Sequence, residues 1–188
     1  AAIMERLDRG EFLLAESLVS LRDRAMAQLT PPEEDPHTVA GWLINARLSG
    51  VRGNLDQAIA WSRQAIATTE QNNWPDLQAH SLMAGGRIAY SRGEFQISQQ
   101  WLLKAIDIFQ QLDERLLVAH CRQLCAEPLQ KTGDIEGGRA QVEAACQEYL
   151  EIGDAMGLGS THLCLSAFAL TQGDLASAQQ EALIAREY

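Results

Sequence analysis

The stretches Arg52-Gly53-Asn54-Leu55, Arg92-Gly93-Glu94-Phe95, Thr132-Gly133-Asp134-Ile135 and Gln172-Gly173-Asp174-Leu175 stand 40 residues apart each time. An earlier copy, Arg9-Gly10-Glu11-Phe12, precedes the series by 43 residues, and the extra three fit into the polar stretch Thr30-Pro31-Pro32-Glu33-Glu34-Asp35-Pro36. A glycine after a helical run supplies the left-handed backbone that ends one helix. Asp, Glu or Asn beside it places an acidic or capping group at the start of the next. Each copy therefore marks the bend of a helix-turn-helix hairpin, and five copies account for nearly the whole chain.

The residues around each glycine carry the same message. Five residues after it stand Ala15, Ala58, Ser98, Gly138 and Ala178; twelve after stand Arg22, Ala65, Ala105, Ala145 and Ala185; seven before stand Ala46, Gly86, Ala126 and Ser166. Small side chains recurring at fixed places let helix axes approach to about 8–10 Å. Larger residues, among them Leu55, Ile59, Ile66, Phe95, Leu102, Ile106, Phe109, Ile135, Val142, Leu175 and Leu183, are expected to fill the space between helices, while Gln99 is expected to face solvent. The pattern predicts helices over about 2–8, 11–29, 38–51, 54–72, 76–91, 94–111, 115–131, 134–151, 157–171 and 174–187. Pro128 falls inside the seventh of these, where a proline removes a backbone donor and a kink near Glu127 is expected.

Composition bounds the function. The 188 residues are 46% apolar and 21% charged, which is ordinary for a folded domain, and no run approaches the roughly 20 apolar residues of a membrane-spanning helix. The start Ala1-Ala2-Ile3-Met4-Glu5-Arg6 lacks a signal peptide's apolar centre, so a soluble, cytoplasmic segment is expected. Net charge is −10, distributed as −3, 0, −3 and −4 over blocks ending at residues 50, 100, 150 and 188. With no basic block to neutralise phosphates, neither nucleic acid nor an anionic membrane is an expected partner. Only Lys104 and Lys131 are lysines; the other cations are arginines, which suit bidentate carboxylate recognition. Cys121 and Cys125 stand beside His120 while Cys146 and Cys164 lie far off, so the spacing of a structural zinc site is absent and no metal or cofactor is assigned. Gly85-Gly86 and Gly137-Gly138 are not phosphate loops. No residue set reads as a nucleophile with its base, and no enzyme activity is expected.

The small residue, the helix-ending glycine, the acidic residue, the bulky apolar residue and the two later alanines resemble the tetratricopeptide (TPR) repeat family. The 40-residue period, longer than the usual 34, resembles the long units of kinesin light chains and of MalT/LuxR-type bacterial regulators. The likeness implies an all-α fold, a right-handed α-α superhelix of about five hairpins. It divides residues 1–188 into units near 1–30, 37–72, 76–112, 115–152 and 156–188. No polar terminal cap is visible, so a piece of a larger multidomain protein is expected, and the uncapped ends leave homo-oligomerisation open.

The resemblance also implies where a partner would sit. In such stacks the first helix of each hairpin lines the concave side. The family's groove places, thirteen and six residues before each glycine, hold His80 and His120 at one level and Arg47, Arg87 and Glu127 at another, with Ala40, Ser160 and Ala167 at the equivalents. Met83, Tyr90, Gln123, Gln130 and Lys131 are expected on the same surface, with Leu43, Leu163 and Leu170 as apolar patches. The Lys and Asn clamp that co-chaperone members use for a C-terminal carboxylate has no counterpart. His80 and His120 are read as groove polarity rather than ligands, and His162 as packed within its hairpin. Trp61 and Trp101, at one place on successive second helices, are expected to pack against the next unit. The implied function is a scaffold that binds a peptide, a helix or a partner domain, including other domains of its own parent chain. The alternative is the ligand-sensing TPR arm of a bacterial LuxR/MalT-type transcriptional regulator.

Overall fold

The computed structural model describes Arg6, Arg9, residues 11–29 and residues 35–188, without the side chains of residues 12, 23 and 25–29. The described residues form nine helices and no strand: α1 Phe12–Leu29, α2 Pro36–Val51, α3 Leu55–Gln71, α4 Pro75–Ser91, α5 Phe95–Gln111, α6 Arg115–Lys131, α7 Ile135–Ile152, α8 Ala155–Thr171 and α9 Leu175–Ala185. Every boundary falls within two residues of the expected one. The helix expected over 2–8, the glycine of the first signature and most of the 30–36 connection lie outside the described residues.

The signature glycines do what their positions require. Gly53, Gly93, Gly133 and Gly173 have φ between 77° and 98°, a left-handed backbone that a Cβ would strain. The residue after each opens the next helix. Asn54, Asp134 and Asp174 accept a hydrogen bond from the backbone N–H three residues on, at 3.2, 2.9 and 3.0 Å. Glu94, one methylene longer, makes no such cap. A second left-handed series separates the hairpins, at Asn73 (φ 53°), Asp113 (φ 59°) and Gly153 (φ 79°), again 40 residues apart. Both joints of the repeat are therefore pinned by one backbone conformation.

The chain forms two compact units, residues 1–92 and 93–188. In the first, α2 packs on α3 and α3 on α4; α1 meets α2, and α2 touches α4. In the second, α5 to α9 each pack on the next, and α6 touches α8. The small residues sit at the contacts: Ala58, Ser98, Ala46, Ala65, Ala105 and Ala145 are fully buried. At Gly138 an added Cβ would lie 2.7 Å from the Ala126 carbonyl oxygen and 3.0 Å from the Phe168 ring, so even a methyl is excluded. Buried Ile59, Leu82, Leu102, Phe109, Val142 and Phe168 fill the intervals.

Three expected fillers do not. Ile135 and Leu175 are the first residues of their helices and remain exposed, and Leu183 is half-exposed on α9, which among the described residues packs on α8 alone. Gln99 is also not a free surface residue: it is half-buried and its Oε1 accepts from Thr132 Oγ1 at 3.1 Å. Helix α6 runs unbroken through Pro128, whose ring is fully buried at the place held by Leu48, Ile88 and Phe168 in other hairpins. The missing N–H is accepted because the ring supplies apolar volume the core needs there.

Candidate functional site

The expected groove residues fall on the first helices of the hairpins, in two separate sets. In the first unit, Arg47 is half-exposed on α2, and His80, Met83, Arg87 and Tyr90 follow one face of α4 at spacings of three and four. His80 Nε2 lies 3.7 Å from Asp76 Oδ1 one turn earlier. Arg87 is exposed; Met83 and Tyr90 are half-buried. Because α2 and α4 touch, the two arginines occupy matching places on neighbouring helices.

In the second unit, α6 carries His120, Gln123, Glu127 and Lys131 and α8 carries Ser160, Leu163, Ala167 and Leu170. Gln123 is engaged inside the unit: its Nε2 donates to Ser160 Oγ and to Cys164 Sγ (3.6 Å), and its Oε1 accepts from Tyr149 Oη at 3.5 Å. Gln130 Nε2 donates to Thr171 Oγ1 at 3.1 Å. The bonds to Ser160, Cys164 and Thr171 stitch α6 to α8, and the one from Tyr149 ties α6 to α7. Glu127 and Lys131 are exposed, and His120 is half-buried. Burial, with Asp154 nearby, pushes the Tyr149 phenol up to about 12, so it stays a neutral donor. Trp61 and Trp101 are both half-buried. A shallow apolar depression of about 700 Å³ lies where α8 begins, lined by Met156, Gly159, Leu163 and Tyr188 among others.

One constellation was not expected from the sequence. His162 on α8 is packed within its hairpin, its Nδ1 2.7 Å from Glu181 Oε2 on α9, while its Nε2 faces Cys146 Sγ on α7 at 3.8 Å. Tyr188 stacks on the imidazole with centroids 5.9 Å apart and planes 4° apart. The three side chains are 16 and 19 residues apart, and only the packing of three helices joins them. Register held the available signal, since Arg122, eleven residues before its glycine like His162, also bonds the side chain 19 residues on, Gln141 Oε1 at 3.1 Å. Burial pushes Cys121 and Cys125 up to about 12, and burial also raises Cys164.

Among the described residues no group of three His, Cys, Asp or Glu side chains is arranged to hold a metal ion, and no helix is long and apolar enough to cross a membrane.

No protein-family model and no curated protein matches the sequence. Solved structures do match. BtubC (BKLC) from P. vanneervenii has a TM-score of 0.80 at 21% identity over 98% of this chain and 76% of its own. A Podosopora anserina kinesin light chain protein with nearly identical TPR-like repeats has 0.77 at 16% identity, over 99% and 90%. A Rap protein solved in complex with competence and sporulation factor has 0.81 at 12% identity, over 96% of this chain and 50% of its own. The fold is that of the TPR-type helical repeat proteins, an all-α solenoid of helical hairpins.

Proposed function

We propose that this chain is a protein-interaction scaffold that holds an acidic peptide or partner segment against the first helices of its hairpins. The observation that carries the reading is the pair Arg47 and Arg87, at the same repeat place on the touching helices α2 and α4 and both reachable from solvent. Two guanidinium forks one repeat apart suit bidentate bonding to successive carboxylates, and a preformed helical surface orders little on binding. His80, Met83 and Tyr90 supply polar and apolar contacts on the same face of α4. In the second unit His120, Glu127 and Lys131 offer a mixed surface for the same kind of ligand, and Gln123 serves to hold α6 and α8 together. The fold shared with a Rap protein solved with a bound factor agrees with this reading.

The test is fluorescence anisotropy of the 188-residue chain against a panel of labelled acidic, neutral and basic peptides. Acidic peptides should bind best. Arg47→Ala with Arg87→Ala should weaken them by about tenfold or more, with helicity by circular dichroism unchanged. Unchanged binding by the double variant, or equal binding of neutral peptides, would refute it.

A further inference from the structure

The places that Cys146 and His162 occupy hold other residue types in the neighbouring hairpins. Thirteen residues after the hairpin glycine stand Ile66, Ile106 and Cys146; eleven before the next glycine stand Leu82, Arg122 and His162. Ile66, Ile106 and Leu82 are buried core residues, and Arg122 is paired at 3.0 Å with Glu148. The α7–α8 contact holds a thiol and an imidazole where the α3–α4 contact holds an aliphatic pair.

Their arrangement has chemical direction. A carboxylate accepts only, so the 2.7 Å contact to Glu181 makes His162 Nδ1 the donor and leaves the proton on that nitrogen. In the neutral ring Nε2 then carries the lone pair, 3.8 Å from Cys146 Sγ. Stacking on Tyr188 holds the ring plane, and the half-buried positions of His162 and Glu181, with side chains 15% and 27% exposed, limit competing water. Thiol, imidazole and carboxylate follow one another across α7, α8 and α9, the order in which a base and its orienting group activate a nucleophile. Cys146 is itself half-buried and so retains some exposure to solvent.

We propose that Cys146 is a modification site for small disulfides, with His162 accepting its proton and Glu181 positioning His162. Sγ attacks one sulfur of a disulfide R–S–S–R. The new Cys146 S–S bond forms as the R–S–S–R bond breaks, the thiol proton passes to His162 Nε2, and the electron pair leaves on the R–S thiolate, which takes up that proton. Cys146 and the disulfide thus become a mixed disulfide and one free thiol, with no other oxidant. A group added there lies between α7 and α8, so the modification would act directly on the packing of the last two hairpins.

The experiment exposes the full 188-residue chain to cystamine and follows each cysteine by peptide mass spectrometry, with Cys164 as the internal reference. Cys146 should be labelled first, about tenfold or more ahead of Cys164, and Glu181→Gln should slow Cys146 by about tenfold while Cys164 keeps its rate. Nitrogen NMR should place the His162 proton on Nδ1 in the native chain. His162→Gln, if its circular dichroism matches the native chain, should slow Cys146 as well. Labelling of Cys164 at least as fast as Cys146, an unchanged Cys146 rate in Glu181→Gln, or a native His162 protonated on Nε2 would each overturn the proposal.

Discussion

The contact between α3 and α4 and the contact between α7 and α8 are built on one backbone plan, yet their equivalent places hold Ile66 and Leu82 in the first and Cys146 and His162 in the second. Ile66 and Leu82 are 8% and 1% exposed, and burying two aliphatic side chains stabilises by about 1.5–3 kcal/mol each. Cys146 and His162 bury less apolar area and need Glu181 to satisfy the ring. The difference teaches that in a repeat fold the glycine joints and small-residue contacts hold the geometry. A single place can then lose its apolar pair and acquire chemistry without changing the helix path.

The sharpest way to break that comparison is truncation. Leu82→Ala should lower unfolding free energy by about 2–5 kcal/mol in urea titrations, whereas Cys146→Ala should lower it by about 1 kcal/mol. Equal losses would make Cys146 a core anchor rather than a residue spared for reactivity.

The next test asks whether the small-residue contacts are shared by both units. Ala65→Leu and Ala105→Leu should each destabilise by about 1–3 kcal/mol, because both sites are fully buried between helices. Gln100→Leu, on the exposed side of α5, should change stability by about 0.5 kcal/mol or less. Gln99 is no control, given its bond from Thr132. A large difference between the two alanines would show that the units do not rest on the same packing.

Glycine substitutions sharpen it further, with a change of sign. Gly138→Ala meets the Ala126 carbonyl and should cost about 1–3 kcal/mol, while Gly50→Ala in α2, where an added Cβ meets nothing within 4 Å, should stabilise by about 0.4–1 kcal/mol. Thermal midpoints of the two variants should therefore move in opposite directions.

The smallest expected effect is electrostatic. The Ser177 hydroxyl, at 2.6 Å, and the Ser177 backbone N–H hold the Asp174 carboxyl below the usual carboxylate range. A carboxyl lowered on folding contributes stability above its unfolded value near 3.9 and loses it as pH falls through the folded one. The contribution of this exposed cap should thus be intact at neutral pH and fade in acid below about pH 4. Asp174→Ala should show a flatter acid limb than the native chain in pH-dependent denaturation.

Much of the fold was legible in the amino-acid order. A glycine every 40 residues needs no tertiary knowledge to read as a bend, because only a residue without Cβ takes that backbone at little strain, and Asn54, Asp134 and Asp174 cap the next helix by a bond confined to four residues. Small residues at fixed distances from the glycine announced close helix contacts for the same local reason. The second left-handed series is not legible in the amino-acid order, because Asn73, Asp113 and Gly153 share a conformation but not a residue type.

What the sequence by itself determined is the hairpin, its length and its small-residue seams, since each follows from backbone sterics and spacing along one helix. What only the tertiary structure decided is which side chains from different helices meet. That Gln123 spends its amide on Ser160 and Cys164, and that His162 meets both Cys146 and Glu181, depends on the angle and depth at which α6, α7, α8 and α9 pack. A contact of a few ångströms between separate helices is set by the summed volumes of everything buried between them, and that sum is not written at any one position of the chain.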